Sequence, residues 1–235
     1  AFSNAHRKHA SMVGVPQYIP GYAGLLFADE FDNLSKALNP ESPSVVIVGG
    51  AKFETKEPLI RKLLDIYGHV FVGGAIANDL LKARGFPIGR SIISSAVPPQ
   101  DIVNHRRIMI PVDVTVENEH KHASVKLPAD VLAGDKIVDI GPDSFAELAS
   151  VIRAARFVLW NGPTGLYEDG YDTWTEAVAQ AIAGSGAHTV VGGGDTIATI
   201  ASLGIEDKFT FLSSAGGAML EFLIQGTLHG IEALN

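Results

Sequence analysis

Short apolar runs, most of them ending in glycine or a glycine-proline turn, recur along the chain and alternate with stretches of helical spacing. The apolar runs occupy residues 44–50, 69–74, 107–116, 136–141, 156–162, 188–194 and 208–214. The helical stretches occupy residues 57–67, 76–85, 143–155 and 174–186. Near-continuous apolar strands that alternate with amphipathic helices are typical of a parallel sheet covered on both faces. We therefore predict an α/β fold with a ligand site at the carboxyl ends of the strands, where the glycines lie.

One further helical pattern precedes the first predicted strand. Four apolar residues recur at i, i+4, i+7 and i+11, on one face of a helix: Phe27, Phe31, Leu34 and Leu38. Leu25 and Leu26 add apolar surface off that face. Asn39 precedes a proline and ends the helix, because the residue before proline avoids helical dihedral angles. The first twenty residues are expected to pack elsewhere.

Charge and composition exclude several classes of function. A net charge of −8 and a pI near 5.4 are unfavourable for binding duplex nucleic acid, although they leave local phosphate binding open. The chain has no cysteine, which excludes disulfides and thiolate metal sites. Neither a secretory signal nor a membrane span is expected from the sequence. Because the chain begins at Ala1 without Met, we expect a piece of a longer soluble protein located in the cytoplasm.

The segment VVGGGDT, residues 190–196, places three glycines and an aspartate directly after an apolar run. Backbone N–H groups of such a turn at the start of a helix form an anion site, aided by the helix dipole. Asp195 has two interpretations: it caps the helix, or it binds Mg²⁺, which prefers carboxylates together with substrate phosphates. Capping alone does not require three glycines, so we favour phosphate and magnesium.

The segment GGAKFETK, residues 49–56, follows the first predicted strand. Its glycines would let a ligand approach the strand end. If a helix starts here, Lys52 and Lys56 share one face and can hold a polyphosphate. Ordinary surface lysines at a helix start are the alternative.

The segment VLWNGPTGLYE, residues 158–168, makes a turn at the end of a strand through Asn161, Gly162 and Pro163. Glu168 follows on an exposed loop, where its carboxylate could accept hydrogen bonds from ribose hydroxyls. A plain turn is the alternative, and Trp160 is predicted to lie in the core.

The segment LSSAGGAMLEFL, residues 212–223, repeats the order of strand, small-residue turn and helix. Ser213 and Ser214 are candidate caps, and Gly216 and Gly217 leave backbone amides open to a second anion. Two glycine-lined helix starts and two lysines around one crevice indicate phosphoryl transfer, in which a protein mainly positions groups and neutralises charge.

Other nucleotide and metal signatures are absent from the sequence. There is no G-x-x-x-x-G-K-[ST], and Ile197 occupies the third glycine position of a dinucleotide fingerprint. A nicotinamide-dependent oxidoreductase is therefore a weak alternative. The histidines at 6–9 and 120–122 lack a plausible set of carboxylate partners, so zinc is not expected.

These segments together resemble the phosphoglycerate kinase family. The matching segments, in the family's order, are AFSNAHRKHAS, GGAKFETK, VGGAIANDLLKARG, DIGPDS, LWNGPTGLYE, VVGGGDT and SSAGGAMLEFL, followed by LHGIEAL at the C-terminus. The resemblance covers essentially the whole chain. It implies a Rossmann-like three-layer α/β/α sandwich with a mainly parallel sheet, preceded by an interdomain helix. The implied divisions are a remnant of the amino-terminal substrate domain at 1–20, the interdomain helix at 21–39, the nucleotide-binding domain at 40–226, and a segment at 227–235 that packs back towards the missing domain.

The resemblance also implies a chemistry, namely phosphoryl transfer between 1,3-bisphosphoglycerate and Mg-ADP in glycolysis, giving ATP and 3-phosphoglycerate. By matching motif position, the catalytic residues are Lys52, Gly216 and Gly217. The implied binding residues for ADP or ATP with Mg²⁺ are Gly49, Gly50, Lys56, Gly73, Gly74, Asn161, Pro163, Glu168, Gly193, Gly194, Asp195 and Thr196, with Asp195 as the metal ligand. His6 and Arg7 match the segment whose arginine belongs to the family's phosphoglycerate site.

Four positions depart from the family pattern, and one of them is Ser214, which stands where threonine is frequent. Ala215 stands where glycine is frequent, and we expect it to narrow backbone freedom at the transfer site. His229 stands where proline is usual and is expected to loosen the closing segment. Ile137 replaces a glycine, which would reshape the adenine wall.

We expect the chain to bind Mg-ADP and Mg-ATP but to turn over little alone, because the family's basic cluster for the acidic substrate lies upstream of Ala1. The alternative is a non-catalytic nucleotide-binding or interaction module made by truncation. In that case an apolar face on the helix at 25–38 should cause self-association or binding of the separate amino-terminal piece. The full enzyme is expected to be a monomer, with neither nucleic acid nor membrane as a partner.

Overall fold

The structure, a computed structural model, describes residues 1–234. Its strands are β1 Ser44–Val48, β2 His69–Val72, β3 Ile108–Met109, β4 Val114–Glu117, β5 Ala123–Lys126, β6 Lys136–Ile140, β7 Phe157–Asn161, β8 His188–Gly192 and β9 Phe211–Leu212. Its helices are α1 Leu25–Leu38, α2 Phe53–Ile66, α3 Gly74–Ala83, α4 Gln100–Val103, α5 Pro142–Ala154, α6 Thr173–Ala183, α7 Gly194–Ser202, α8 Gly217–Gln225 and α9 His229–Glu232. No helix among these residues combines the length and apolarity needed to cross a lipid bilayer.

The main sheet of the described residues has six parallel strands in the order β3-β2-β1-β7-β8-β9. Successive residues of β1 alternate between two cores: Val46 and Val48 belong to one and Val45 and Ile47 to the other. Helices therefore cover both faces, which confirms the predicted three-layer α/β/α fold. The strand order reverses between β1 and β7, and such switch points are where open α/β sheets bind ligands.

A second sheet, which the sequence did not predict, is antiparallel with the order β5-β4-β6. The run at 107–116 was expected to be one strand but is divided between β3 in the main sheet and β4 in the small sheet. Pro111 lies in the break, and proline has no N–H to donate to a sheet ladder. The run at 136–141 also belongs to this sheet, as β6, and not to the parallel sheet.

Helix α1, Leu25–Leu38, matches the helix expected at 25–38 and is shorter than the interdomain helix expected at 21–39, and it buries a different stripe. Its buried residues are Phe27, Glu30, Leu34 and Ala37, whereas Phe31 is 37% exposed. The spacing of 3, 4 and 3 residues places a glutamate in the middle of the apolar stripe. Glu30 is therefore a buried charged residue, and it needs hydrogen-bond partners.

The two ends of the described chain pack against each other. The ring centroid of Phe2 lies 5.1 Å from that of Phe27 in α1 and 5.9 Å from that of Phe222 in α8. The first residues of the chain therefore pack against α1 and α8, and not elsewhere as expected. Gly230 donates its N–H to the Ala5 carbonyl at 2.7 Å. The segment predicted at 227–235 thus lies against residues 1–5, although Asn235 lies outside the described residues.

Candidate functional site

The loops after β1 and β7 meet at the switch point through their backbones. Gly49 donates its N–H to the Asn161 carbonyl at 2.8 Å. A Cβ on Gly49 would lie 2.1 Å from the carbonyl oxygen of Pro163, and a Cβ on Gly162 would lie 2.7 Å from the carbonyl carbon of Gly49. Close packing between the two loops therefore requires glycine at both positions.

The loops after β2 and β8 join the same cluster. Gly74 donates its N–H to the Thr164 carbonyl at 2.9 Å, and its φ of +62° is a conformation that favours glycine. The N–H of Gly162 donates to Thr196 Oγ1 at 3.0 Å. Gly73, the residue after β2, donates its N–H to the carbonyl of Val48 at the end of β1, at 2.9 Å. Four strand ends thus form one connected rim.

This rim borders an open space of about 280 Å³, which we call the crevice. Its lining residues are Gly50, Ala51, Gly74, Ala75, Ile92, Pro163, Gly165, Leu166, Tyr167, Glu168, Asp169 and Asp195. Five of the predicted binding residues are among them. Glu168, Asp169 and Asp195 contribute exposed carboxylates to an otherwise largely apolar wall, and Asp169 is paired with Lys136.

The two lysines of the GGAKFETK segment differ in environment. Helix α2 begins at Phe53, so Lys52 precedes it with extended backbone and the expectation that both lysines share a helix face is wrong. Lys52 is exposed, whereas Lys56 is half-buried and donates to Asn161 Oδ1. Burial lowers the pKa of the Lys56 ammonium to about 8, because desolvation disfavours the charged form.

The glycine triad turns the chain from β8 into α7. Gly193 is the N-cap, with a φ of +101°. Asp195 lies within the first turn and makes no capping hydrogen bond, so the capping interpretation is wrong. A Cβ on Gly194 would meet no atom within 4 Å, and the backbone of Gly194 does not have the positive φ that would favour glycine.

The start of α8 is held by the buried glutamate of α1. Glu30 accepts hydrogen bonds from Ser213 Oγ at 2.7 Å and from the N–H and Oγ of Ser214 at 2.7 and 2.8 Å. Neither serine caps the helix, contrary to expectation, because Gly216 is the N-cap with a φ of +57°. Ala215 is buried next to the two serines.

Several predicted residues lie outside the lining of the crevice. Lys52, Gly216 and Gly217 are exposed, and none of them belongs to its wall. Arg7 is exposed in the amino-terminal segment and donates to His6 Nε2 at 3.5 Å. These residues therefore do not form one contact cluster with the nucleotide-binding candidates.

A second, smaller space of about 10 Å³ shares five lining residues with the crevice, and we call it the inner cavity. The sequence analysis did not identify three polar residues on its wall, Asn78, Asp139 and Thr164. Asp139 accepts an N–H from Ile140 at 2.8 Å, and burial raises its pKa to about 7. Ile137, one of the departures from the family pattern, also lies here and is buried. For Asn78 and Asp139, the available signal in the sequence was a polar residue inside an otherwise apolar helix or strand.

The arrangement suits a phosphorylated ligand with an apolar part. The open end offers helix-start amides, a half-buried ammonium and a carboxylate, and the inner end is narrow and mainly apolar. Within residues 1–234 no group of three or more His, Asp or Glu side chains could hold a metal ion alone. A metal bound at Asp195 would therefore need oxygen ligands from phosphates and water, which is the binding mode typical of Mg²⁺.

Comparisons with known proteins agree with this geometry. The sequence profile of the family described as phosphoglycerate kinase matches residues 1–226. The phosphoglycerate kinases of Francisella tularensis subsp. tularensis and Francisella philomiragia are 42% and 44% identical to this chain. Each alignment covers 100% of this chain and 63% of the relative, so the chain spans about 63% of the length of these relatives.

Solved structures are similar over the whole chain as well. Phosphoglycerate kinase from Coxiella burnetii superposes with a TM-score of 0.90 at 38% identity, covering 100% of this chain and 64% of that one. The enzyme from Pyrococcus horikoshii OT3 gives a TM-score of 0.87 at 30% identity, covering 100% of this chain and 62% of that one. The chain belongs to the phosphoglycerate kinase family.

Proposed function

We propose that this chain binds Mg-ADP and Mg-ATP in the crevice and supplies the nucleotide half of the phosphoglycerate kinase reaction, the transfer of a phosphoryl group between 1,3-bisphosphoglycerate and Mg-ADP. One observation carries the proposal: four strand-end loops are hydrogen-bonded around a single crevice that has Lys56 beside it and Asp195 and Glu168 on its wall. The glycolytic role of such a reaction leads us to propose a cytoplasmic location.

The phosphates are proposed to lie at the start of α7. Backbone N–H groups at Gly193 and Gly194 lie at the positive, N-terminal end of that helix dipole, which attracts anions. Neither packing nor φ requires glycine at position 194, which supports a role in the close approach of a ligand. The Lys56 ammonium adds a positive charge, and Glu168 is proposed to accept hydrogen bonds from the ribose hydroxyls.

Lys52, Gly216 and Gly217 are proposed to act on the phosphoryl group during transfer. All three are exposed, and we propose that they reach a group that lies between this chain and a second substrate. In phosphoryl transfer the protein mainly positions the reactants and neutralises charge on the equatorial oxygens. An ammonium and two amide N–H groups are suited to that role.

Asp195 is proposed to hold Mg²⁺ together with the nucleotide phosphates. Its carboxylate is exposed, lies on the crevice wall and is not used for helix capping. Bound Mg²⁺ would neutralise phosphate charge.

The acidic substrate is proposed to need a part of the relatives that this chain does not span. His6 and Arg7 are the candidates within this chain, and they lie away from the crevice. Because precise orientation of two reactants supplies about 7–11 kcal/mol of barrier lowering, we expect little turnover from this chain alone.

Calorimetric titration of ADP, with and without Mg²⁺, tests the nucleotide site. We expect magnesium to strengthen binding to the parent chain, and we expect Asp195→Ala to lose that enhancement. Asp207→Ala is the matched control, because Asp207 is an exposed aspartate that pairs with Lys208 away from the crevice. Absence of ADP binding by a folded parent chain would contradict the proposal.

A second candidate is an interaction module that binds the part of a phosphoglycerate kinase that this chain lacks. Its support is a group of large apolar residues near the start of α1 that are all more than 80% exposed: Tyr18, Tyr22, Leu25 and Leu26. Contiguous exposed apolar surface is typical of interaction sites. Light scattering tests this candidate, since a clean monomer that does not bind the separate amino-terminal part of a relative would count against it.

A further inference from the structure

We propose that the small sheet positions Glu168 for the ribose, by holding the loop that carries it at two points. The residues that hold the loop are Glu117 of β4, through Tyr171, and Lys136 of β6, through Asp169. They are positioning residues, because neither belongs to the wall of the crevice. The inference rests on the proposed function, in which the Glu168 carboxylate accepts hydrogen bonds from the ribose hydroxyls.

The loop at residues 166–171, which we call the Glu168 loop, is exposed at its centre and attached at both ends. Leu166 donates its N–H to the Val138 carbonyl of β6 at 2.7 Å, and Tyr171 donates its N–H to the Leu166 carbonyl at 3.2 Å. Between these two attachments Glu168 is exposed. A side chain on a short exposed segment is held in one place only where neighbouring elements fix the segment, so the contacts of the loop decide how Glu168 is placed.

The shortest of these contacts joins Tyr171 to a buried carboxylate. Glu117 is 5% exposed, and the Tyr171 hydroxyl donates to its Oε2 at 2.6 Å. Lys121 Nζ and Arg90 Nη2 donate to Oε1 of the same carboxylate at 3.1 and 3.4 Å. These hydrogen bonds, first of all the one from Tyr171, lower the pKa of Glu117, so its carboxylate is ionised at neutral pH. A hydroxyl that donates to an ionised carboxylate makes a strong hydrogen bond.

The second contact comes from the neighbouring strand of the same sheet. Lys136 Nζ donates to Asp169 Oδ2 at 3.0 Å, and the side chain of Asp169 is 57% exposed. Glu117 and Lys136 are directly paired across the antiparallel ladder of β4 and β6. Both contacts therefore start from one place in the small sheet and reach the loop within three residues of Glu168. The exposed ion pair is expected to be the weaker of the two.

The arrangement gives the small sheet a part in ligand binding. A loop that must be ordered when its ligand binds costs affinity, whereas a loop that is already fixed does not. Loss of the Tyr171 hydroxyl should therefore weaken the contact between Glu168 and the ribose hydroxyls. It should leave the contacts to the phosphates and the base as they are.

The test compares ADP with 2′,3′-dideoxy-ADP, which has the same base and phosphates but neither ribose hydroxyl. In calorimetric titration with Mg²⁺, the parent chain should bind ADP about 10-fold more tightly, a factor typical of a hydrogen bond to a charged group. Tyr171→Phe should reduce that ratio to about threefold or less, and Lys136→Met, which removes the weaker ion pair, to about fivefold. Tyr18→Phe, the same chemical change at a tyrosine that is 87% exposed, should keep the ratio of the parent.

A double substitution separates positioning from a general effect on the fold. In the Glu168→Ala variant, adding Tyr171→Phe should change the affinity for ADP by less than about 1.5-fold, because Tyr171 acts through Glu168. If the added substitution lowers the affinity as much as it does in the parent, Tyr171 acts by another route and the inference is overturned.

Failure of the inference and failure of the proposed function give different results. A parent that prefers ADP, with the same ratio in Tyr171→Phe and Lys136→Met, would overturn the inference and leave the nucleotide site standing. If Tyr171→Phe does not fold, an unchanged ratio in Lys136→Met is enough to overturn it. Equal binding of the two diphosphates by the parent would overturn both the inference and the proposed role of Glu168. If the parent binds neither diphosphate, the proposed function fails and the inference fails with it.

Discussion

The open and inner ends of the crevice are built in different ways. At the open end, Gly194 and Asp195 are exposed. A Cβ at Gly194 would meet no other atom within 4 Å, and the Asp195 side chain does not cap α7. At the inner end, Asp139 and Gly165 are buried and in contact with other elements. The difference teaches that substitutions at the open end should change ligand binding alone, whereas substitutions at the inner end should change stability as well.

A pair of glycine-to-alanine substitutions tests this contrast most strongly. A Cβ at Gly165 would lie 2.4 Å from the Tyr171 carbonyl oxygen and 2.5 Å from Asp139 Cγ, whereas a Cβ at Gly194 would meet nothing within 4 Å. We expect Gly165→Ala to lower the free energy of unfolding by about 3 kcal/mol, because overpacking displaces buried groups. Gly194→Ala should change it by less than about 0.5 kcal/mol. Urea denaturation measures both, and equal losses would remove the distinction.

Lys56 tests the contribution of charge at the open end. We expect Lys56→Met to weaken ADP binding about 10- to 50-fold, the range for losing a hydrogen bond to a charged group. The free energy of unfolding should change little, because the gain from removing a desolvated ammonium offsets the loss of its hydrogen bond to Asn161 Oδ1. Lys62→Met, on an exposed part of α2, is the control for calorimetry and should bind as the parent does. An unchanged affinity of Lys56→Met would place the phosphates elsewhere.

The lowered pKa of Lys56 gives this site a pH dependence of known sign. Between its folded pKa of about 8 and its ordinary value of 10.5, the folded chain holds fewer protons than the unfolded chain, so Lys56 makes stability rise with pH in that window. Bound phosphate favours the ammonium form and should raise this pKa. Binding of ADP near pH 8.5 should therefore take up protons, which is measured as a dependence of the binding heat on the buffer.

Asp139 gives a pH dependence of stability whose sign is opposite to that of Lys56. Its folded pKa of about 7 lies above the ordinary value of 3.8, so the folded chain holds the proton longer than the unfolded chain does. Stability from this group is complete below about pH 4 and is lost as the pH rises to 7, at up to about 1.4 kcal/mol per pH unit. Asp139→Asn should flatten that slope in urea denaturation between pH 5 and 7. Asp130→Asn, at an exposed aspartate, should keep the slope.

The same contrast explains how much the sequence predicted. Glycines after apolar runs mark strand ends, and parallel strand ends meet at one edge, so the loops of the crevice were predictable from residue type and order. Lys56 was identified, but its burial was not, because that depends on Asn161 more than a hundred residues away. Asn78 and Asp139 are polar residues inside a mainly apolar helix and strand, which was a usable signal, but their place beside a cavity depends on the packing of separate elements.

The small sheet and the role of Glu30 were missed for related reasons. Strand β4 follows β3 after a short break at Pro111, which marks the interruption of the strand but not the change of sheet. Glu30 lies at helical spacing from Phe27 and Leu34, which was a usable signal. Its partners Ser213 and Ser214 come almost at the end of the chain, so only the folded structure identifies them.

The contact between Gly49 and Gly162 limits how these loops can change in evolution. Each residue occupies the volume that a side chain on the other would need, since a Cβ at either position would fall within 2.7 Å of the backbone at the other. A larger residue at one position is usually tolerated when its neighbour becomes smaller. Neither glycine can become smaller, so no compensating substitution exists within the pair. We therefore expect both positions to remain glycine unless the course of the backbone changes as well.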